Sequence, residues 1–335
     1  KTLKLKIVDQ CNLKCKKCNH WRTDKSRSKY QTSALSDAEW LEIAKQGVSM
    51  GVQKVRFSGG EPTLHPLLPK LINYFSQNNV ECSITTNGTL LTEDLVERLI
   101  DGGLYRYSIS IDSAISDKHD EIVCFSGAFE KQKQGIATLQ KISQKNNQKL
   151  KLSINSVVTS LNYKNLPSMI ELALSYNASE LQLLILHDHH LKNKLSLAPS
   201  ELNEYRNEIL PEIISKGINA SIDVVPIGFR VENNIAYSLM ENIILTAPCI
   251  SAWERLTIMP NGDVYVCCEA RNNYFKYGNT RFLSLSEMVN GVRGKEIRTT
   301  CLSPCKVSQE CKSCGVDLLH RYEVASLLNF FQEDI

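Results

Sequence analysis

Apolar and polar positions along this chain switch repeatedly between a period of two and a period near 3.6, the signature of strands alternating with helices. Strands are predicted at residues 3–8, 52–57, 80–85, 105–111, 150–158 and 181–186. Between the first two, Ser36 and Glu39 form a capping-box signature, and Trp40, Leu41, Ile43, Ala44 and Val48 follow at helical spacing. Helices are also predicted at 67–78, 92–101, 129–144 and 166–176, with Gly102 and Gly103 as the stop after 101. Such alternation argues for parallel strands joined by helical crossovers. A further strand–helix-like unit at 201–225 leads into a second domain. There the pattern changes: the Leu256–Met259 run, a Pro260-Asn261-Gly262-Asp263 turn and the run from Val264 read as a β-hairpin, which brings Cys267 toward Cys249.

Chemistry concentrates in the loop after the first strand, where Cys11, Cys15 and Cys18 have three residues and then two between them. Three thiolates in one loop can hold three irons of a [4Fe–4S] cluster and leave the fourth iron open to a substrate-like ligand. Zinc is the alternative, since His20 lies two residues on. The second strand runs into Phe57-Ser58-Gly59-Gly60-Glu61-Pro62. Paired glycines at a strand end let backbone approach a bound group, and the Glu61 carboxylate can pair with an ammonium.

Together these two motifs resemble the radical S-adenosylmethionine (SAM) superfamily. The resemblance implies a partial (β/α)6 barrel in an α/β fold, with the open iron binding the amino and carboxylate groups of SAM's methionine. It makes Gly59, Gly60, Glu61 and Pro62 the strand end that receives the amino group, and it places Ser110, Asp112 and Asn155 near the ribose or methionine. One position departs from the family: an aromatic usually precedes the third cysteine, and here that residue is Lys17. With Lys14 and Lys16 it reads from the sequence as a solvated basic run.

The later cysteines, Cys249, Cys267, Cys301, Cys305, Cys311 and Cys314, resemble the SPASM/twitch C-terminal domains of the same superfamily. On that resemblance Cys249, Cys267, Cys311 and Cys314 ligate one auxiliary [4Fe–4S] cluster. Cys301 and Cys305 keep a two-cluster arrangement open, and zinc is the remaining alternative there. The expected domains are 1–225 for the barrel and 226–335 for the auxiliary-cluster part.

The implied activity is reductive cleavage of SAM to a 5′-deoxyadenosyl radical that takes a hydrogen atom from an unactivated C–H bond. A flavodoxin- or ferredoxin-type protein is the expected electron donor. With an auxiliary cluster to accept an electron, the expectation is a net oxidation or crosslink on a natural product, either a ribosomal peptide or an aminosugar or aminocyclitol. A redox-neutral epimerase is the competing enzyme, with Cys124 or Cys268 as hydrogen donor. A non-enzymatic zinc or iron–sulfur module is the reading from another class, and it leaves the Gly-Gly-Glu-Pro motif unexplained.

Other features carry blander readings. Cys82 lies within a strand and is expected to be a small buried hydrophobe. Cys124 is expected on a loop over the barrel mouth, His65 in a local hydrogen bond, and Asn87-Gly88 in a turn. His187-Asp188-His189-His190 suits a substrate contact or solvated loop better than a metal site, because consecutive residues seldom converge on one ion. Twelve cysteines in 335 residues fall at metal-ligand spacings without a signal-peptide pattern, which predicts a reducing, cytoplasmic setting. A net charge of +3 gives no reason to expect nucleic acid, and no apolar run approaches the roughly 20 residues a bilayer requires.

Overall fold

Strand β1, Thr2–Val8, alternates strictly, with Leu3, Leu5 and Ile7 buried and the residues between them half-exposed. It is flanked on both sides. One neighbour is β2, Lys54–Gly59, parallel, with Leu5 opposite Phe57. The other is β8, Arg255–Ile258, also parallel, with Leu5 opposite Ile258. The computed structural model describes residues 1–18, 34–186, 195–227, 248–267 and 273–302. His20, His187 to His190, Cys268, Cys305, Cys311 and Cys314 therefore lie outside the described residues.

From β2 the sheet continues through β3 (Glu81–Thr86), β4 (Arg106–Ser110), β5 (Lys151–Val158), β6 (Glu180–Ile185) and β7 (Asp223–Ile227), each parallel to the one before. On the other side, β9 (Asp263–Tyr265) pairs antiparallel with β8, and β10 (Lys276–Asn279) antiparallel with β9. Among the described residues one open ten-stranded sheet results, with β10 and β7 at its ends. The α/β expectation and the parallel order hold. Strand β7 extends the six predicted strands, because the 201–225 unit ends on the β6 edge of the same sheet. The hairpin after Arg255 is also where the sequence predicts it, and it joins the barrel sheet through β1.

Helix α1, Asp37–Ser49, starts at the predicted capping box: Ser36 Oγ accepts from Glu39 N, and the Glu39 carboxylate accepts from Ser36 N. Its apolar face buries Trp40, Ile43 and Ala44 against the sheet. Helices α2 (Leu68–Gln77) and α3 (Glu93–Asp101) follow β2 and β3 in the same manner. Phe57 and Phe75 meet edge to face at 6.1 Å in the core. Burying each such side chain contributes about 1.5–3 kcal/mol relative to leaving it in water.

Helix α4, Ser116–Val123, is absent from the sequence reading, since its Ser-Asp-Lys-His-Asp-Glu start offers almost no apolar stripe. It leads into α5, Ala128–Lys145. The predicted 166–176 helix is a 3-10 turn over Tyr163–Ser168, containing Pro167, followed by α6, Met169–Ser175. Proline cannot donate to a helical ladder, which accounts for the division. Before β7, α7 (Pro199–Glu204) passes through a π turn at Tyr205–Ile209 into α8 (Leu210–Ala220).

After β7 come α9 (Ser251–Glu254), α10 (Leu285–Asn290) and α11 (Val292–Cys301). This C-terminal part is fastened to α1 as well as to β1. Arg281 Nε donates to Glu39 Oε1 at 2.7 Å, and the Leu285 N–H donates to Gln46 Oε1 at 2.9 Å. Among the described residues, no helix is long and apolar enough to cross a membrane.

Candidate functional site

The loop bearing Cys11, Cys15 and Cys18 leaves the C-terminal end of β1 and is held at its root by the Gly-Gly-Glu-Pro turn. Gly60 N donates to Val8 O at 2.7 Å, and Glu61 N donates to Gln10 O at 2.8 Å. A Cβ on Gly60 would lie 2.1 Å from Gln10 O, and one on Gly59 would lie 2.2 Å from Val8 O. Gly59 also sits at φ +147°, in a region that side-chain-bearing residues avoid. The two glycines thus admit the chain's own backbone just ahead of Cys11, where the sequence suggested close approach of a ligand.

Glu61 is only 1% exposed. Its Oε1 accepts from Thr63 N at 3.1 Å and from the hydroxyls of Thr63 and Thr86 at 2.6 Å, and its Oε2 accepts from Asn87 N at 2.7 Å. Burial pushes this carboxyl above the usual range, against the pull of those donors. The carboxylate is therefore engaged within the fold, tying the ends of β2 and β3, where the sequence suggested a partner for an ammonium. Pro62 opens the short 3-10 turn Pro62–Leu64 that follows.

The three cysteines are half-buried and close enough to influence one another. Cys15 feels the charges of both Cys11 and Cys18, and Cys11 feels that of Cys18. Leu13 N donates to Cys11 Sγ at 3.4 Å, with the Asn87 amide 4.0 Å from the same sulfur. Burial pushes the Cys15 thiol up to about 12 and raises Cys11 as well, so taking up iron expels protons from the loop. Among the described residues no group of three His, Cys, Asp or Glu side chains is placed to hold a single metal ion. A cluster takes one iron per thiolate, which suits thiols set around a wider space.

At the neighbouring strand ends, Asp112 lies two residues past Ser110, the last residue of β4, and Asn155 on β5 pairs with Ser110. Asp112 is buried; its Oδ1 accepts from Lys17 Nζ and from Val157 N at 3.0 Å. Its Oδ2, like Asn155 Oδ1, is buried and accepts nothing from the protein. Buried acceptors without partners are costly unless a ligand completes them. Two orphaned acceptors near a loop of three half-buried thiols fit SAM bound beside an iron–sulfur cluster. Lys17 corrects the expectation of a solvated basic run, since its side chain is 11% exposed and ion-paired. Lys16 pairs with Glu121 at 2.7 Å.

Several residues at this mouth went unnoticed in the sequence. Gln132, on α5, donates to Asn87 O at 2.6 Å and to Ser110 O at 3.0 Å, joining the β3 and β4 ends. Its signal was available: a polar residue within the apolar stripe Phe129, Ile136, Leu139. Asn87 forms the expected turn, accepting from Thr89 N at 3.0 Å, and also donates to Asn12 Oδ1 at 2.9 Å in the cysteine loop. Asn162 donates to Asp112 O at 2.7 Å, and His119 Nδ1 accepts from Asp112 N at 3.2 Å. Nothing in the sequence pattern marks either.

Cys124 caps α4 in a left-handed conformation, exposed, with its sulfur 3.7 Å from Glu121 O; the expectation was a loop over the mouth. Cys82 is buried as expected, against the carbonyls of Ile72 and Val80. The His65 ring accepts locally from Leu67 N at 3.2 Å. In the C-terminal part, Cys249 and Cys301 are buried and joined by a 2.8 Å bond from Cys249 N to Cys301 O. Cys267 is half-buried just after β9.

The model of the radical SAM superfamily matches residues 5–173, and that of the SPASM iron–sulfur cluster-binding domain matches residues 249–315. PqqA peptide cyclase of Xanthomonas euvesicatoria pv. vesicatoria (strain 85-10) is 26% identical over 326 residues, covering 93% of this chain and 80% of that protein. The probable GTP 3′,8-cyclase of Methanocaldococcus jannaschii is 33% identical over 172 residues, 51% of this chain and 54% of that protein. Streptococcus suis SuiB bound to SAM superposes with a TM-score of 0.69 at 21% identity, over 94% of this chain and 72% of that one, which shows a shared fold. Cysteine loop, Gly-Gly-Glu-Pro turn and open parallel sheet agree with these matches: the chain belongs to the radical SAM superfamily, is an enzyme with SAM and [4Fe–4S] clusters as cofactors, and carries a SPASM domain behind its core.

Proposed function

We propose that this enzyme modifies a ribosomally made peptide, removing a hydrogen atom from a C–H bond and completing a net oxidation or crosslink. One observation carries the reading: the likeness to PqqA peptide cyclase runs through both the core and the cluster domain, over 93% of the chain. The fold agrees, because strand β8 of the C-terminal part lies directly on β1, the strand that feeds the cysteine loop.

When bound, SAM and its cluster supply a hydrogen-abstracting radical by one-electron cleavage, and an auxiliary cluster supplies an electron acceptor. Cys11, Cys15 and Cys18 hold the first cluster. Gly59, Gly60, Glu61 and Pro62 fix the backbone that frames SAM, while Ser110, Asp112 and Asn155 present acceptors to it. Cys249, Cys267, Cys311 and Cys314 hold the auxiliary cluster. A flavodoxin- or ferredoxin-type protein delivers the electron.

For a crosslink, two substrate C–H bonds break and one new bond forms. One hydrogen atom leaves on the deoxyadenosine carbon, one proton goes to solvent, and one electron goes to the auxiliary cluster. The test is turnover of the reconstituted enzyme with SAM, dithionite and a deuterated candidate precursor peptide in ordinary water. Product two hydrogens lighter, with deuterium in 5′-deoxyadenosine, is expected. Product of unchanged composition that gains one deuterium when made in D2O would instead establish epimerisation.

A further inference from the structure

Asp112 is restrained from four directions. Lys17 and Val157 N hold its Oδ1, Asn162 bonds its carbonyl, and its N–H rests on His119. Only Oδ2 is left over, buried and without a partner. Three of these restraints come from the barrel itself. The fourth, Lys17, comes from the cysteine loop, at the position just before Cys18.

Removing one partner from an ion pair this deeply buried, 11% and 1% exposed, leaves an uncompensated charge and costs far more than breaking a surface pair. Without the ammonium, the buried carboxylate would lose its charge partner, and Oδ1 would be held by Val157 N alone.

Resting on the site reading above, we propose that Lys17 is a positioning residue for SAM: it pins Asp112 through Oδ1 and so presents Oδ2 as the acceptor for a ribose hydroxyl of the cofactor. Lys17 reaches SAM only through Asp112. In this chain an ion pair then occupies the place where the family usually keeps an aromatic.

The test is SAM affinity by equilibrium dialysis on cluster-loaded, oxidised protein, with iron content measured in parallel. Lys17→Met is expected to keep its iron and to weaken SAM binding about tenfold or more, the scale of a charge-assisted hydrogen bond. Lys17→Arg, which keeps the charge, is expected to recover most of that loss. Asp112→Asn is expected to weaken binding comparably, and Lys17→Met/Asp112→Asn no further than Asp112→Asn alone. Additive losses, or wild-type affinity in Lys17→Met, would overturn the proposal. So would loss of core iron in Lys17→Met but not in Asp112→Asn, since Lys17 would then serve the loop alone. Wild-type protein that loads iron yet retains no SAM would overturn the site assignment itself.

Discussion

The Glu61 carboxylate stands 2.7 Å from the backbone nitrogen of Asn87, so a buried anion joins the end of β2 to the end of β3 beneath the cysteine loop. Glu61→Gln exchanges one accepting oxygen for a donating amide among four donors. The expected cost is about 1–3 kcal/mol, seen as a lower melting temperature of the cluster-free protein. An unchanged melting temperature would show that the turn does not depend on that charge.

Gly60→Ala tests the same junction from the backbone side. Its Cβ would press on Gln10 O at 2.1 Å, a distance only backbone movement can relieve. Overpacking of this kind costs about 1–3 kcal/mol. Because the strain falls one residue before Cys11, reconstituted protein is expected to lose core iron while keeping auxiliary iron.

Anaerobic reconstitution of the intact protein is expected to give about eight irons per chain, four for each of two clusters. The Cys11, Cys15 and Cys18→Ala triple variant should retain about four and cleave no SAM. Zinc without iron in the wild-type protein would contradict the assignment of the loop.

In the C-terminal part, Cys249→Ala should lose about four irons. Cys301→Ala is expected to keep them, since Cys301 is fully buried in the apolar core and lies outside the proposed ligand set. Loss of four irons there would move Cys301 into the set, as its backbone bond to Cys249 allows.

Acid should loosen the C-terminal part first. The Arg281 hydrogen bond and the cap at Ser36 draw Glu39 down from 4.5 to about 2. A depressed carboxyl stabilises above its unfolded value and loses that contribution as pH falls through its folded one, here between about 4.5 and 2. The pair is substantially exposed, so solvent screening leaves roughly 0.5–1 kcal/mol. Arg281→Ala is expected to flatten the pH dependence of the melting temperature across that window.

The strands were legible because their apolar runs alternate with helical ones, and the cysteine loop because its spacing stands together with the Gly-Gly-Glu-Pro strand end. Helix α4 was not, since its buried residues His119, Ile122 and Val123 sit among charges. The contacts that Gly59 and Glu61 make within the fold were not legible for a different reason. A sequence shows that a strand end needs glycine and a carboxylate, but not whether ligand or protein backbone stands opposite. Lys17 and Asp112 are 95 positions apart, on the loop after β1 and the end of β4, and the folded sheet brings them together.

Strand β1 precedes the other described strands in the chain, yet one of its two neighbours, β8, lies some 250 positions later. Until β8 is made, the Thr2–Leu5 backbone presents a bare edge suited to pairing with another chain. Such a distant partner is also slow to find, because the loop must close before the contact contributes. The cysteine loop therefore hangs from a strand that is finished late, and its timing is set by a segment some 250 positions downstream. Nascent chains halted before residue 255 are expected to need protection from self-association, whereas chains extended past residue 258 can close that edge themselves.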